Sequence, residues 1–145
     1  MTAYRFRLQK VLEWRQTELE LAEARLRQQA AALAEIDRAR AGLAAEGIHT
    51  EAEVRSWSPV TDRDLAALGE FRLHVRAQDA ALAARRVECV KQLEALQADM
   101  LEARRRFRLL ERLKERGLEA WTAERDRELE QLASEAFLAR WTASS

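Results

Sequence analysis

The sequence has 145 residues, of which 34% are charged and only 6% aromatic, a composition that favours a thin helical assembly over a thick globular core. Its 25 basic and 25 acidic side chains give a formal net charge of +0, so bulk electrostatics provide no reason to expect nucleic acid or an anionic membrane as a partner. The single cysteine, Cys89, cannot form a disulfide within the chain, and no early apolar run resembles a secretory signal or a spanning helix. We therefore expect a soluble cytoplasmic protein without direct membrane insertion.

Glycines mark the predicted end of a first helix. Gly42 and Gly47 are predicted to close a helix that runs over about 4–46. An elbow over about 47–61 follows, and a capping box that begins at Thr50 predicts a short helix within it.

A second helix is predicted over about 62–141, with Thr61 or Asp62 as its cap. No strand-like alternation or internal repeat competes with this pattern. The sequence therefore predicts an all-α fold: a long antiparallel two-helix coiled-coil hairpin with a helical C-terminal overhang, formed by residues 1–145 as a single domain.

Apolar residues recur at seven-residue intervals on both predicted helices, which keeps one seam facing a partner helix. We call the more apolar row of each helix its dry row. These rows are Leu12, Leu19, Leu26 and Leu33 on the first helix, and Leu68, Val75, Leu82, Cys89, Leu96, Ala103 and Leu110 on the second. A mixed row, which also contains polar residues, runs beside each dry row. The mixed rows are Leu8, Arg15, Ala22, Gln29, Ile36 and Leu43 on the first helix, and Leu65, Arg72, Asp79, Arg86, Leu93, Met100 and Phe107 on the second.

Two antiparallel registers bring the dry rows together, with paired residue numbers that add to about 108 or to about 115. In the first register Gln29 faces Asp79, and a cysteine at position 19 would crosslink to Cys89. In the second register a cysteine at position 26 would do so. Periodicity alone does not choose between the two registers.

Either register leaves the end of the second helix without a partner in the chain. About 30 residues, or about 45 Å of helix, extend beyond the start of the first helix. Burial of a large apolar side chain contributes about 1.5 to 3 kcal/mol, so we expect a partner surface to cover this region. The alternative is that it folds back or self-associates. Its large apolar residues are Leu113, Leu118, Trp121, Leu129, Leu132, Phe137 and Trp141.

A basic cluster lies where this projection begins, and an acidic stretch follows it. The cluster is either a solvated helix face with ion pairs worth about 0.2 to 0.5 kcal/mol each, or a positive collar whose arginines bind acidic loops of a partner. The basic residues are Arg104, Arg105, Arg106, Arg108, Arg112, Lys114 and Arg116, and the acidic residues that follow are Glu119, Glu124, Asp126, Glu128 and Glu130.

Catalytic, cofactor and metal sites are not predicted. His49 and His74 are distant from each other in sequence and from Cys89, and neither HExxH nor CxxC spacing occurs. The carboxylates follow the general charged-helix pattern and no glycine-rich phosphate loop is present, so we expect a protein that is not an enzyme. Among the four tryptophans, Trp121 is the strongest candidate for an interface anchor.

Two stretches of the sequence resemble the FliJ family of flagellar type III export proteins. FRLQKVLEWRQTELELAEARL, residues 6–26, resembles the opening of that family, and LLERLKERGLEAW with the charged run after it, residues 109–130, resembles its C-terminal signature. EFRLHV, residues 70–75, matches the start of the family's second helix. Gly117 stands where the family signature carries a basic residue.

The resemblance implies a non-catalytic stalk and adaptor. Its coiled-coil ends would enter the pore of the hexameric flagellar export ATPase and promote the assembly or activity of that ring. The rest of the hairpin would contact the cytoplasmic domain of the export gate membrane protein and the chaperones of export substrates. The implied location is the cytoplasmic side of the inner membrane, at the flagellar basal body.

Site residues follow from the same resemblance and from the basic cluster. For the ATPase ring they are Arg104, Arg105, Arg106, Arg108, Arg112, Leu113, Lys114, Arg116, Leu118 and Trp121. For the export gate they are Phe71, Val75, Gln78 and Leu82. The equivalent stalk of an injectisome secretion system and a structural coiled-coil scaffold or homodimerisation arm remain alternatives.

Overall fold

A computed structural model describes residues 3–144, and two long α-helices account for most of them. Helix α1 spans Gln9–Ser56 and helix α2 spans Asp62–Ser144. The two helices pack against each other, and the described residues contain no strand. The predicted all-α class with two long packed helices is therefore confirmed.

Contacts within the chain group its residues into two compact units. Unit 1 comprises Met1–Glu20 and Leu101–Ser145, and unit 2 comprises Leu21–Met100. Each unit contains a part of α1 and a part of α2. Each unit therefore has its own stretch of packing between the two helices.

The start of α2 is set by a local capping box. The Asp64 amide donates a hydrogen bond to the Thr61 hydroxyl oxygen over 3.1 Å, and the Thr61 amide donates to the Asp64 carboxylate over 3.1 Å. These two bonds satisfy backbone donors that the first turn of a helix leaves without partners. The predicted start at Asp62 and the cap at Thr61 are therefore confirmed, and α2 continues to Ser144 instead of about residue 141.

The predicted end of the first helix was wrong. Helix α1 continues through Gly42 and Gly47 to Ser56, so the predicted elbow over 47–61 reduces to residues 57–61 and Thr50 caps nothing. Glycine in a helix costs about 1 kcal/mol relative to alanine. The extra helical turns bury Val54, which is only 8% exposed, and this burial offsets much of that cost.

The predicted dry rows are shielded from solvent in the structure. Every dry-row residue on both helices is buried or half-buried. The remaining buried positions include Ile36 and Met100 from the mixed rows. The seam is thin, because no side chain in the described chain is less than 2% exposed.

Neither predicted register occurs in unit 2. The side chain of Gln29 meets Cys89 and Gln92, where the first register placed it opposite Asp79. Asp79 instead binds Arg40. The residue numbers of the cross-helix hydrogen-bonded pairs in this unit add to between 118 and 123, about one heptad beyond the second predicted register. A slip of whole heptads keeps dry row against dry row, which is why the apolar pattern could not exclude it.

Polar side chains select this register. The Gln29 side-chain amide donates to the Cys89 carbonyl oxygen at 3.2 Å and approaches the Cys89 Sγ at 3.1 Å. The Arg40 guanidinium donates to both carboxylate oxygens of Asp79, and this hydrogen bond lowers the pKa of the Asp79 carboxyl. A slip of one heptad would separate both pairs by about 10 Å along the helix. Each contact therefore stabilises the observed register relative to the two predicted registers.

We predict that Gln29→Cys will form a disulfide with Cys89 under mild oxidation, because these two positions are in contact across the seam. The shift in mobility on a non-reducing gel will measure it. Leu26→Cys, which the second predicted register would place opposite Cys89, is the matched control and should remain reduced. Efficient crosslinking at position 26 without crosslinking at position 29 would contradict the register.

Candidate interaction surfaces

The N-terminal segment of unit 1 is held against α2 by an aromatic clasp formed by Tyr4, Gly117 and Trp121. The Tyr4 hydroxyl donates a hydrogen bond to the Lys114 carbonyl oxygen over 3.1 Å. Its ring lies so close to Gly117 that a Cβ at that position would overlap the Tyr4 hydroxyl oxygen. The ring centroids of Tyr4 and Trp121 are 6.3 Å apart with planes tilted by 51°. Gly117 is therefore the residue that lets the N-terminal segment approach the helix.

The clasp is also the last position along α2 at which a residue is shielded from solvent. Trp121 is half-buried, and every residue from 122 to 144 is exposed. This exposed segment, here called the tail, is about 35 Å of helix, shorter than the projection of about 45 Å expected from the sequence. The difference follows from the register, because Tyr4 reaches Trp121 instead of position 104 or 111.

Large apolar side chains of the tail lie in solvent. Phe137 is 68% exposed and Trp141 is 66% exposed. The others are Leu129, Leu132 and Leu138. Single exposed apolar residues are ordinary on protein surfaces, but five large ones on one unpartnered segment make the tail a candidate interaction site.

We predict that two glycine-to-alanine changes on α2 will differ in their effect on the N-terminal segment. Gly117→Ala should release the N-terminal segment, because the new Cβ overlaps Tyr4, and trypsin should then cleave faster after Arg5 and Arg7. Gly69→Ala is the matched control, since nothing lies within 4 Å of its added Cβ. It should raise the free energy of unfolding by about 1 kcal/mol through helix propensity and leave cleavage near the N-terminus unchanged. Equal cleavage rates in the two variants would show that Tyr4 does not need Gly117.

Five arginines of the predicted collar line one surface groove on α2, which we call the basic face. Leu101 and Leu109 lie among its arginines and are 52% and 61% exposed. Ala103, on the other side of the helix from Leu101, is only 4% exposed, so most of the basic face points away from the seam. The arginines that line the groove are Arg104, Arg105, Arg106, Arg108 and Arg112.

Only part of the basic face is neutralised by the chain. Arg105 and Arg106 both bind Glu102, and the hydrogen bond from Arg105 is the main cause that lowers the pKa of the Glu102 carboxyl. Arg106 also reaches Glu18 on α1 at 3.4 Å. Arg104, Arg108 and Arg112 have no ion-pair or hydrogen-bond partner within residues 3–144. Intrahelical pairing therefore explains two of the five arginines and leaves three available.

The acidic stretch, which begins just before the tail and continues into it, is also unpaired within residues 3–144. Within the described residues, no ion pair involves the five carboxylates of this stretch. They are Glu119, Glu124, Asp126, Glu128 and Glu130. Two oppositely charged sets on one helix are thus both left without partners.

The other residues predicted for the ATPase ring fall into two groups. Leu113, Arg116 and Leu118 are exposed and extend the basic face toward the tail. Lys114 and Trp121 lie under the N-terminal segment, and Arg125 also covers the Trp121 ring at 5.5 Å. The structure thus brings most of the predicted set to the outside of α2 and places these two residues at the clasp.

The residues predicted for the export gate belong to unit 2. Phe71, Val75 and Leu82 are half-buried along the seam, whereas Gln78 is exposed. They line two shallow grooves between α1 and α2. Gln78 and Leu82 line one groove, with Gly42 on its α1 wall. Phe71 and Val75 line the other, with Gly47 on its α1 wall. Ile48 is 72% exposed beside one of these grooves, and sequence reasoning missed it because it was placed in the elbow.

No group of three or more metal-ligating His, Cys, Asp or Glu side chains occurs within residues 3–144. Neither described helix is apolar enough over a sufficient length to cross a membrane. Cys89 is buried in the seam as predicted, in contact with Gln29.

Comparison of the chain with protein-family models, with curated proteins and with solved structures gives no match. The class defined by the fold is therefore that of an all-α protein with two long packed helices, and the resemblance to the FliJ family stays a prediction from the quoted motifs. Sequence reasoning missed Leu101 at the basic face, because a leucine beside arginines on a long helix carries no signal of its exposure.

Proposed function

We propose that the chain is a non-catalytic stalk and adaptor of a flagellar type III protein export apparatus, as its resemblance to the FliJ family implies. The tail of α2 enters the ring of the hexameric export ATPase and promotes ring assembly or activity. Unit 2 contacts the cytoplasmic domain of the export gate and the chaperones of export substrates. The site of action is the cytoplasmic side of the basal body. The observation that carries the proposal is the exposed tail after Trp121 with its unpartnered apolar side chains.

The arrangement of these side chains favours a partner that surrounds the tail. At about 100° per residue, Leu132, Phe137 and Leu138 point in three directions separated by about 100 to 140°. A flat partner surface or one additional helix covers a single side of the tail. The pore of a ring surrounds a helix from every side and can therefore contact apolar side chains that point in all three directions.

The basic face supplies an electrostatic contact beside the inserted tail. Its three unpaired arginines, Arg104, Arg108 and Arg112, keep their donors for carboxylates on a partner. Acidic loops at the mouth of the ring would fit this face, with Leu101 and Leu109 as apolar contacts among the charges.

Two alternative functions differ from this proposal in the partner that covers the tail. The equivalent stalk of an injectisome secretion system would use the tail in the same way, with a different ATPase as its partner. A structural scaffold or homodimerisation arm would bury the tail against another copy, and it should therefore give a dimer that persists at high salt.

We predict that removal of residues 122–145 will abolish stimulation of ATP hydrolysis when the chain is added to the purified flagellar export ATPase. The truncation removes the exposed apolar tail and keeps the clasp between Tyr4 and Trp121. A steady-state phosphate-release assay measures the effect, and circular dichroism should show that the shortened chain still folds. Full stimulation by the truncated chain would overturn the insertion model.

A second prediction concerns the basic face. Arg108→Glu with Arg112→Glu should weaken binding to the ATPase at least tenfold, because both arginines would change from attracting to repelling acidic loops. The melting temperature should hardly change, since neither side chain has a partner within the described residues. Arg76→Glu with Arg85→Glu is the matched control on α2 of unit 2, where both residues are exposed. Equal loss of binding in the two variants would show that only net charge matters.

A further inference from the structure

On one side of α2 in unit 1, two basic and two acidic residues are arranged symmetrically around Glu119, with Glu115 as an additional acidic residue that has no symmetric counterpart. Residues four apart, and residues separated by two heptads, lie on the same side of a helix. Arg108 and Arg112 are four apart, Asp126 and Glu130 are four apart, and two heptads separate Arg112 from Asp126. All four side chains are exposed and therefore form a basic half and an acidic half of one continuous surface.

The chain cannot neutralise this surface by itself. Arg112 and Asp126 are about 21 Å apart along the helix, far beyond the reach of an ion pair. None of the four side chains has an ion-pair partner within residues 3–144. The opposite charges that complement each half are thus present on the protein, but only a second copy can bring them into contact.

We infer that two copies of the chain pair through this side of α2, antiparallel and related by a two-fold axis near Glu119. Paired residue numbers then add to 238, which places Arg112 opposite Asp126 and Arg108 opposite Glu130. Because the contact is isologous, each of these pairs forms twice. The same register places Leu101 opposite Phe137, and both are more than half exposed in the single chain.

This pairing is weak and sensitive to salt. The four ion pairs are solvent-accessible, and exposed ion pairs contribute little individually. The Glu119 carboxylates of the two copies approach each other at the axis, which is unfavourable, although Arg116 of each copy lies less than one turn away. The association is therefore reversible, in contrast to a scaffold dimer with a large apolar interface.

The inference goes beyond the proposed function and does not depend on it. Self-association is measured on the purified chain alone, whereas the proposed function is measured as stimulation of the ATPase, so either result can fail without the other. If both hold, they compete, because the basic face that meets acidic loops of the ring is the one covered in the pair.

Static light scattering and sedimentation equilibrium test the pairing. At about 0.01 M salt, where charges are screened over about 30 Å, the weight-average mass at high protein concentration should approach twice the mass of one chain. At about 1 M salt, where screening acts within about 3 Å, it should fall to the mass of one chain. A mass of one chain at both salt concentrations would overturn the inference.

Charge reversal of one half at a time identifies the surface. Arg108→Glu with Arg112→Glu, and separately Asp126→Arg with Glu130→Arg, should each remove self-association at low salt, because like charges then face each other in both contacts. An equimolar mixture of the two variants should restore the twofold mass, since every contact in the mixed pair again joins opposite charges. A mixture that stays at the mass of one chain would reject the antiparallel register.

Glu124→Arg with Glu128→Arg is the matched control. It has the same spacing and the same change in charge on the tail, but about 160° away from Asp126 and Glu130 around the helix at about 100° per residue. This variant should associate like the unmodified chain. Loss of association in this control equal to that in Asp126→Arg with Glu130→Arg would show that net charge, and not the proposed surface, governs association.

Discussion

The fold depends on burial of one narrow apolar seam between two long helices. In proteins most of the stability of a helix comes from tertiary packing of its apolar stripe and not from propensity, so this seam holds the two helices. The seam is only one side chain deep on each helix, and its best-buried residue, Ala103, is still 4% exposed. A molecule with so little interior can place its contacts with partners only on outer helix faces and in the shallow grooves beside the seam.

Polar side chains within the seam determine how far one helix slides along the other. The apolar rows repeat every seven residues and accept several registers, whereas Gln29 finds a carbonyl oxygen at one position of α2. The Arg40–Asp79 pair adds a second restriction in the same unit. Within unit 1, the contacts of Tyr4 with Gly117 and Trp121 mark the end of the packed part of α2, and every residue from 122 to 144 is exposed.

Sequence reasoning succeeded where the cause is local and failed where two distant residues must meet. The start of α2 was predictable because Thr61 and Asp64 are three residues apart and cap the helix themselves. The end of α1 was not, because burial of Val54 offsets the cost of two glycines, and that burial depends on the facing helix. The basic face was predictable as a set of arginines. The sequence did not predict that three of these arginines lack ion-pair partners within residues 3–144, because pairing depends on where Glu102 and Glu18 lie. It also did not predict that Gly117 makes room for the N-terminal segment.

The outer side of α2 is where the proposed function and the proposed self-association meet. A stalk that inserts a bare helix into a ring must carry that helix exposed before it finds the ring, and exposed apolar side chains such as Phe137 invite non-specific association. A reversible pairing that covers Phe137 with Leu101, through contacts worth little individually, protects the tail while the chain is free. Because the ring and the second copy compete for the basic face, binding of the ring shifts the equilibrium toward single chains by mass action. The weakness of exposed ion pairs, which makes them unimportant for folding, is what makes such an exchange possible.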